Sequence, residues 1–150
     1  MATLKDRLRA DLTSAIRARD EVRKATIRMT LSAISTEESS GDSSRDLTDD
    51  EIITVLTREA KRRREAAEAF RDGGRTDSAE REEAEAAVIA EYLPEPLSEA
   101  ELGRIIDAAI AETGASSPRD MGQVMKTVQP QVRGRVDGSA VAAAVKARLT

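Results

Sequence analysis

Apolar residues recur at intervals of three and four along most of the chain, which is the spacing of amphipathic helices. Leu4, Leu8 and Leu12 predict a first helix with Thr3 as its N-cap. A short break at Asp20 precedes a second helix, and the polar, serine-rich segment 38–44 ends it. This pattern predicts two consecutive helices at the start of the chain.

A long third helix is predicted from Thr48 to about Asp72, because Thr48 and Glu51 have the spacing of a capping box. Gly73 and Gly74 end it, since glycine readily takes the left-handed conformation that closes a helix. Asp77, with Glu80 three residues later, is predicted to cap a fourth helix. The short connection predicts that helices three and four form an antiparallel hairpin.

Pro94 and Pro96 mark the clearest boundary, because two prolines spaced by one residue hold the chain extended. We predict an N-terminal helical bundle or hairpin part at 1–93, a linker at 94–97 and a small three-helix C-terminal domain at 98–150. The expected helix signals of this domain are a Ser98–Glu101 capping box, Ser117 as N-cap with Pro118 at the first helical position, Pro130 as a helix end, and Asp137 as the last N-cap.

Composition supports an all-α fold and removes several kinds of chemistry. Ala, Glu and Arg dominate, while the aromatic residues are one Phe and one Tyr. With no Cys and no His, the chain has neither the usual metal ligands nor the usual nucleophile–base pairs. We therefore expect no catalytic residue, no metal and no cofactor.

The start of the chain lacks the apolar core of a signal peptide. The longest apolar run, 140–145, is too short to cross a membrane. We therefore expect a cytoplasmic protein without membrane contact.

Charge is unevenly distributed along the chain. The formal net charge is −4, yet segment 114–150 carries six basic and two acidic residues. Such asymmetry can orient a protein on a polyanion, although a solvated basic face is the alternative. Within this segment, Arg133 and Arg135 flank Gly134 in a connection that precedes a helix N-terminus, an arrangement suited to phosphate.

A second basic run, 61–64, includes Lys61, Arg62 and Arg64. Four consecutive helical residues span about 300° around the axis, so they cannot all face one ligand. Pairing within the helix and with the acidic fourth helix is one interpretation, and a secondary basic surface is the other. We expect the glutamates of helix four, Glu82, Glu83 and Glu85, to form a solvated face and not a metal site. Met121 and Met125 fit either the core or a dock for a partner helix.

Several segments, in this order along the chain, resemble the GatB/YqeY family: 47–51, 61–70, 74–75, 91–94, 121–126 and 134–138. The resemblance implies a helical N-terminal part joined to a compact helical C-terminal part. It also implies kinship with the tail of the B subunit of the tRNA-dependent aspartyl/glutamyl amidotransferase, which helps to hold tRNA while other domains catalyse. The resemblance also implies an inherited label of carbon–nitrogen ligase activity with glutamine as amide donor, but no residue here supports that activity.

The leading hypothesis is therefore a non-catalytic accessory module that binds tRNA, possible further partners being an aminoacyl-tRNA synthetase or an amidotransferase. The candidate contacts are Lys126, Arg133, Gly134, Arg135, Lys146 and Arg148. The alternative is a protein–protein adapter that docks on one of those enzymes, and an independent amidotransferase is the third. The first hypothesis predicts that the chain binds RNA, the second that it binds a protein partner without RNA, and the third that it transfers ammonia from glutamine to a charged tRNA.

Overall fold

The computed structural model describes residues 3–150, and the all-α prediction is confirmed because these residues contain no strand. A 3-10 turn, Pro118–Asp120, precedes the sixth helix. The helices are α1 (Leu4–Ala18), α2 (Glu21–Glu38), α3 (Asp49–Asp72), α4 (Thr76–Ala90), α5 (Glu99–Thr113), α6 (Met121–Val132) and α7 (Gly138–Leu149). They divide between two compact units, unit 1 (Met1–Leu93) and unit 2 (Pro94–Thr150).

Unit 1 is built around the hairpin of α3 and α4, against which α2 also packs. Its core gathers aliphatic side chains from all four helices. Ile34 and Leu56 at its centre are fully buried. Burial of such apolar surface contributes about 25 cal/mol per Å², so this core is the main source of stability for unit 1.

The two predicted capping boxes, at Thr48 and Ser98, are present, and Thr3, predicted as an N-cap, forms a third. Thr3, Thr48 and Ser98 each accept the backbone N–H three residues on, at 3.1 to 3.2 Å. The predicted cap at Asp77 is wrong, because α4 already begins at Thr76, with Arg75 as N-cap and no side-chain cap bond. The Arg75 N–H donates to the Phe70 carbonyl at 2.7 Å, so the chain reverses and re-enters helix at once. Asp77 lies in the first turn instead, where its charge still suits the helix dipole.

Glu51 should make the stability of unit 1 sensitive to acid. Its carboxylate accepts a hydrogen bond from Arg45 at 2.9 Å and from the Thr48 N–H at 3.1 Å. These bonds, the one from Arg45 first, lower the pKa of Glu51 from 4.5 to about 2. A lowered folded-state pKa stabilises the fold above pH 4.5, and this contribution disappears as the pH falls towards 2. Thermal unfolding between pH 6 and pH 2, followed by circular dichroism, should show a smaller acid-induced loss in Glu51→Gln than in the wild type. Equal losses would contradict this assignment.

Unit 2 is a three-helix unit with a core dominated by valine. Val124, Val128, Val141 and Val145 are each fully buried and pack with α5 through Ile106. Asp137 caps α7 as predicted, since its carboxylate accepts the Ser139 N–H at 3.4 Å. Met121 and Met125 pack against this core, in agreement with the core interpretation.

The prediction that Pro130 ends α6 is wrong, because the helix continues through Pro130 to Val132. Proline removes one backbone hydrogen bond but leaves the following turn possible. Val132 is only 1% exposed, and the Arg133 N–H donates to the Gln129 carbonyl at 3.1 Å. Burial of Val132 in the unit 2 core thus favours a last helical turn beyond the proline.

Candidate nucleic-acid interface

The connection between α6 and α7 positions three of the predicted contacts. Arg133 is the C-cap of α6 and is exposed. Gly134 follows with a φ of 76°, in the left-handed region that favours glycine. The Arg135 N–H then donates to the Val132 carbonyl at 2.9 Å, which closes a tight turn. This turn therefore fixes the backbone positions of Arg133 and Arg135 on the two sides of Gly134.

Arg135 has a structural role that the sequence did not predict. Its Nε donates to the Glu95 carbonyl at 3.0 Å, and its own carbonyl accepts the Leu97 N–H at 2.9 Å. These two bonds hold the proline-containing segment against the α6–α7 connection inside unit 2. Because the side-chain acceptor is a neutral carbonyl, this bond does not cancel the charge of Arg135. The charge also helps to lower the pKa of Glu101, behind the larger effect of the hydrogen bonds from Ser98.

The N-terminus of α7 is a poor phosphate site. The Asp137 carboxylate accepts the Ser139 hydroxyl at 3.0 Å as well as its N–H at 3.4 Å. A negative group thus already lies where an incoming phosphate would meet the helix N–H groups. Phosphate contacts in this region must come from the arginine and lysine side chains.

Lys126 on α6 and Lys146 in the last turn of α7 are exposed. Within residues 3–150, neither ammonium group has a carboxylate at ion-pair distance. At a rise of about 1.5 Å per residue, Lys126 lies about 9 Å before the end of α6, and Lys146 lies about 14 Å along α7 from Asp137. The two lysines thus lie on different helices, each more than one helical turn away from the connection that carries Gly134.

Arg148 is the most constrained of the predicted contacts. Its Nε pairs with the Asp107 carboxylate at 2.8 Å, and its Nη1 donates to the Ala144 carbonyl at 3.4 Å. The guanidinium crosses α5 at Gly103, where a Cβ atom would lie only 2.8 Å from Arg148 Nη2. This side chain borders a groove of about 520 Å³ in unit 2, between the first turns of α5 and the face of α7.

The charge imbalance of segment 114–150 does not extend to unit 2 as a whole. Residues 94–150 contain seven basic and seven acidic side chains, because α5 adds acidic residues. Unit 2 is therefore neutral overall, and any attraction for a polyanion depends on the exposed cations of α6, α7 and the turn between them.

The side chains of the second basic run, 61–64, point in different directions around α3, because successive helical residues are about 100° apart. Arg63 points inward and is 8% exposed, with its Nε 3.5 Å from Glu85 on α4. Lys61 pairs with Glu65 at 3.9 Å, and Arg62 pairs with Glu59 at 3.4 Å. The predicted neutralisation by α4 is thus confirmed for Arg63.

The predicted secondary basic surface consists of the remaining members of the run. Lys61, Arg62 and Arg64 keep their side chains in contact with solvent. Lys61 and Arg62 each have a carboxylate partner, so this surface offers a polyanion less uncompensated charge than unit 2 does.

In residues 3–150, no group of three or more acidic side chains is arranged to hold a metal ion. No helix in this range is both long enough and apolar enough to span a membrane.

Comparison with protein families gives a match to the family described as Yqey-like protein, over residues 5–149. The chain belongs to the YqeY-like family. The match includes both units, so the Gly134 turn and the lysines of α6 and α7 are parts of the family domain. The family predicted from sequence resemblance is confirmed.

Two curated relatives are similar to this YqeY-like chain. One is a protein of the yeast Lachancea thermotolerans named "Altered inheritance of mitochondria protein 41, mitochondrial", 34% identical over 74% of this chain and 60% of its own length. The other is a protein of Schizosaccharomyces pombe described as uncharacterised, 33% identical over 61% of this chain and 72% of its own. The chain thus spans less than two thirds of the first relative.

Arg17 and Arg19, near the end of α1, were absent from the predicted contacts. Both are exposed at the turn between α1 and α2. The only signal in the sequence was the alternation of arginine and alanine just before the helix break. That signal is weak, because basic residues near a helix C-terminus also complement the helix dipole.

Proposed function

We propose that this YqeY-like chain is a non-catalytic accessory protein that binds tRNA through unit 2. The observation that carries the proposal is that Lys126 and Lys146 are exposed without carboxylate partners in the described chain, while Arg133 and Arg135 border the glycine turn. Lysine and arginine side chains bind RNA phosphates by displacing counterions, and this term dominates such affinities. The proposed place of action is the cytosol, where tRNA is abundant.

Recognition would depend on the shape and backbone of the RNA. Unit 2 contains no aromatic residue, and the two aromatic residues of the chain, Phe70 and Tyr92, belong to unit 1. Stacking platforms for unpaired bases are built from aromatic side chains. Unit 2 should therefore bind several tRNA species with similar affinity, since phosphate contacts carry no sequence information.

The double variant Lys126→Gln/Lys146→Gln tests the proposal. Each lost phosphate contact should weaken binding roughly fivefold at 0.1 M salt and reduce the slope of log K against log salt by about 0.7 to 0.9. Titration of total tRNA into the full chain at several salt concentrations, followed by fluorescence anisotropy, measures both quantities.

The matched control is Arg58→Gln/Arg71→Gln, which removes the same charge from residues that are paired with Glu37 and Glu83. It should bind tRNA like the wild type. If the control weakens binding as much as the lysine variant does, the effect is one of net charge and unit 2 is not the binding surface.

The groove of unit 2 favours a second function, that of a protein–protein adapter. Small side chains line much of it, namely Ala100, Gly103, Ala140 and Ala144, and these leave room for side chains of a partner. Purification of the tagged chain from lysate, with and without ribonuclease, separates the two functions. An adapter retains its protein partner after ribonuclease treatment, whereas a tRNA-binding module releases whatever the RNA held.

A further inference from the structure

The turn between α1 and α2 carries more basic than acidic side chains. Segment 16–24 contains four basic and two acidic residues. Both acids are already paired inside the segment: Asp20 lies 3.6 Å from the Arg23 Nε, and Glu21 lies 2.9 Å from the Lys24 Nζ. The two remaining basic residues, both at the end of α1, therefore lack a local counter-charge.

These two residues are Arg17 in the last turn of α1 and Arg19 at its C-cap. Together with Ile16 we call them the hairpin tip, which here means the turn from α1 to α2 and not the α3–α4 hairpin. Both guanidinium groups are exposed, and neither pairs with a carboxylate anywhere in residues 3–150. Arg9 lies two helical turns earlier, and its charge helps to lower the pKa of Asp6 and of Glu38, in each case behind larger hydrogen-bond effects. Arg17 and Arg19 are thus two exposed cations without a carboxylate partner, two residues apart at one helix end.

Arg19 occupies a backbone conformation that glycine would adopt more easily. Its φ of 55° and ψ of 36° lie in the left-handed region, and it is the only described non-glycine residue with a positive φ. Glycine or asparagine is usual at such a helix end. Arg17 alone can complement the helix dipole, so the backbone gives no reason for a second arginine at this position.

Ile16 adds an exposed apolar group beside the two arginines. It is 46% exposed, and only Met29 is comparable among the large apolar side chains described. A membrane-binding helix would turn a whole apolar face to the bilayer. The apolar face of α1 is instead buried in unit 1 through Leu4, Leu8 and Ala15. The tip thus has one apolar contact point and two cations, which fits a folded polyanion better than a lipid surface.

We infer that the hairpin tip is a second RNA-binding surface, where Arg17 and Arg19 contact phosphates and Ile16 packs against the neighbouring sugar. This inference rests on the proposed function for its ligand, but it concerns residues of unit 1. The planar guanidinium fork matches the geometry of phosphate oxygens and can donate two parallel hydrogen bonds. Two such contacts should steepen the salt dependence of binding beyond what unit 2 alone provides.

Arg19→Gly separates binding from stability. Glycine relieves the left-handed strain, so the midpoint of thermal unfolding should stay the same or rise. Affinity for total tRNA should fall roughly fivefold at 0.1 M salt, and Arg17→Gln/Arg19→Gly should reduce the salt slope by about 1.5. A protein that is at least as stable as the wild type but binds more weakly has lost a contact and not its fold.

The control Arg58→Gln/Arg71→Gln again removes two charges from ion-paired positions of the same unit. If the tip variant binds tRNA as well as this control, while Lys126→Gln/Lys146→Gln binds more weakly, the inference is overturned and the proposed function stands. If the wild type binds no tRNA, both are overturned. Binding of the wild type to vesicles of anionic phospholipid that disappears in the tip variant, without any change in tRNA affinity, would reassign the tip to membranes.

The lack of cysteine in the chain allows a direct test of location. Ala18→Cys places a single thiol between the two arginines, and Ser40→Cys places one at an exposed position just beyond the C-cap of α2. With a short photoreactive group on the thiol, the Ala18 variant should cross-link to total tRNA and the Ser40 variant should not. Equal cross-linking at both positions would contradict a defined contact at the tip.

Discussion

Replacement of Glu85 by alanine should lower the free energy of unfolding of unit 1 by about 3 kcal/mol. Glu85 is 7% exposed, and its partner Arg63 is 8% exposed. Their closest atoms, Arg63 Nε and Glu85 Oε2, are 3.5 Å apart, and Glu82 adds a contact to Arg63 at 3.9 Å. Removal of Glu85 leaves the buried guanidinium with Glu82, at 3.9 Å, as its carboxylate partner, and a poorly compensated buried charge is costly.

The single tyrosine of the chain makes the measurement specific. Tyr92 belongs to unit 1, is 7% exposed and donates a hydrogen bond to Asp11. Its fluorescence during urea unfolding therefore reports on unit 1. The matched control is Glu83→Ala, since Glu83 forms an exposed ion pair with Arg71 and its loss should cost less than about 1 kcal/mol. Equal effects of the two substitutions would show that the ion pairs of Arg63 with Glu82 and Glu85 are solvated.

Signals that act within one helical turn could be predicted from the sequence. The capping box of Thr48 and Glu51 spans three residues, so its two hydrogen bonds depend on no other part of the chain. The same holds for Ser98 with Glu101. The errors at Asp77 and Pro130 arose where a reversal of the chain and the burial of Val132 outweighed local preference.

The candidate site could be predicted less well, because the availability of a charge depends on distant partners. Arg148 and Asp107 are 41 residues apart, and Arg135 meets the carbonyl of Glu95, which is 40 residues away. Neither contact follows from spacing or composition. Likewise, the run at 61–64 shows four similar residues, and only the packing of α4 determines that Arg63 is the buried one.

Ile106→Ala should unfold unit 2 selectively. Ile106 is fully buried among the valines of α6 and α7, and truncation of such a residue costs roughly 2 to 5 kcal/mol. A core as small as that of residues 94–150 rarely supplies more than about 3 to 5 kcal/mol. The loss is therefore comparable with the whole stability of unit 2. The two aliphatic cores share no residue, so unit 1 should keep its own unfolding transition.

Circular dichroism should then show the loss of α5, α6 and α7 at room temperature, while the Tyr92 signal still reports a folded unit 1. The matched control is Ile105→Ala, the same substitution at a half-buried neighbour, which should cost about 1 kcal/mol and leave unit 2 folded.

With unit 2 unfolded in the Ile106 variant, tRNA affinity should fall at least as far as in Lys126→Gln/Lys146→Gln, and only the contribution of Arg17 and Arg19 should remain. Wild-type affinity in the Ile106 variant would place tRNA binding in unit 1 alone, because disordered lysines cannot hold a fixed set of phosphates without paying the ordering entropy.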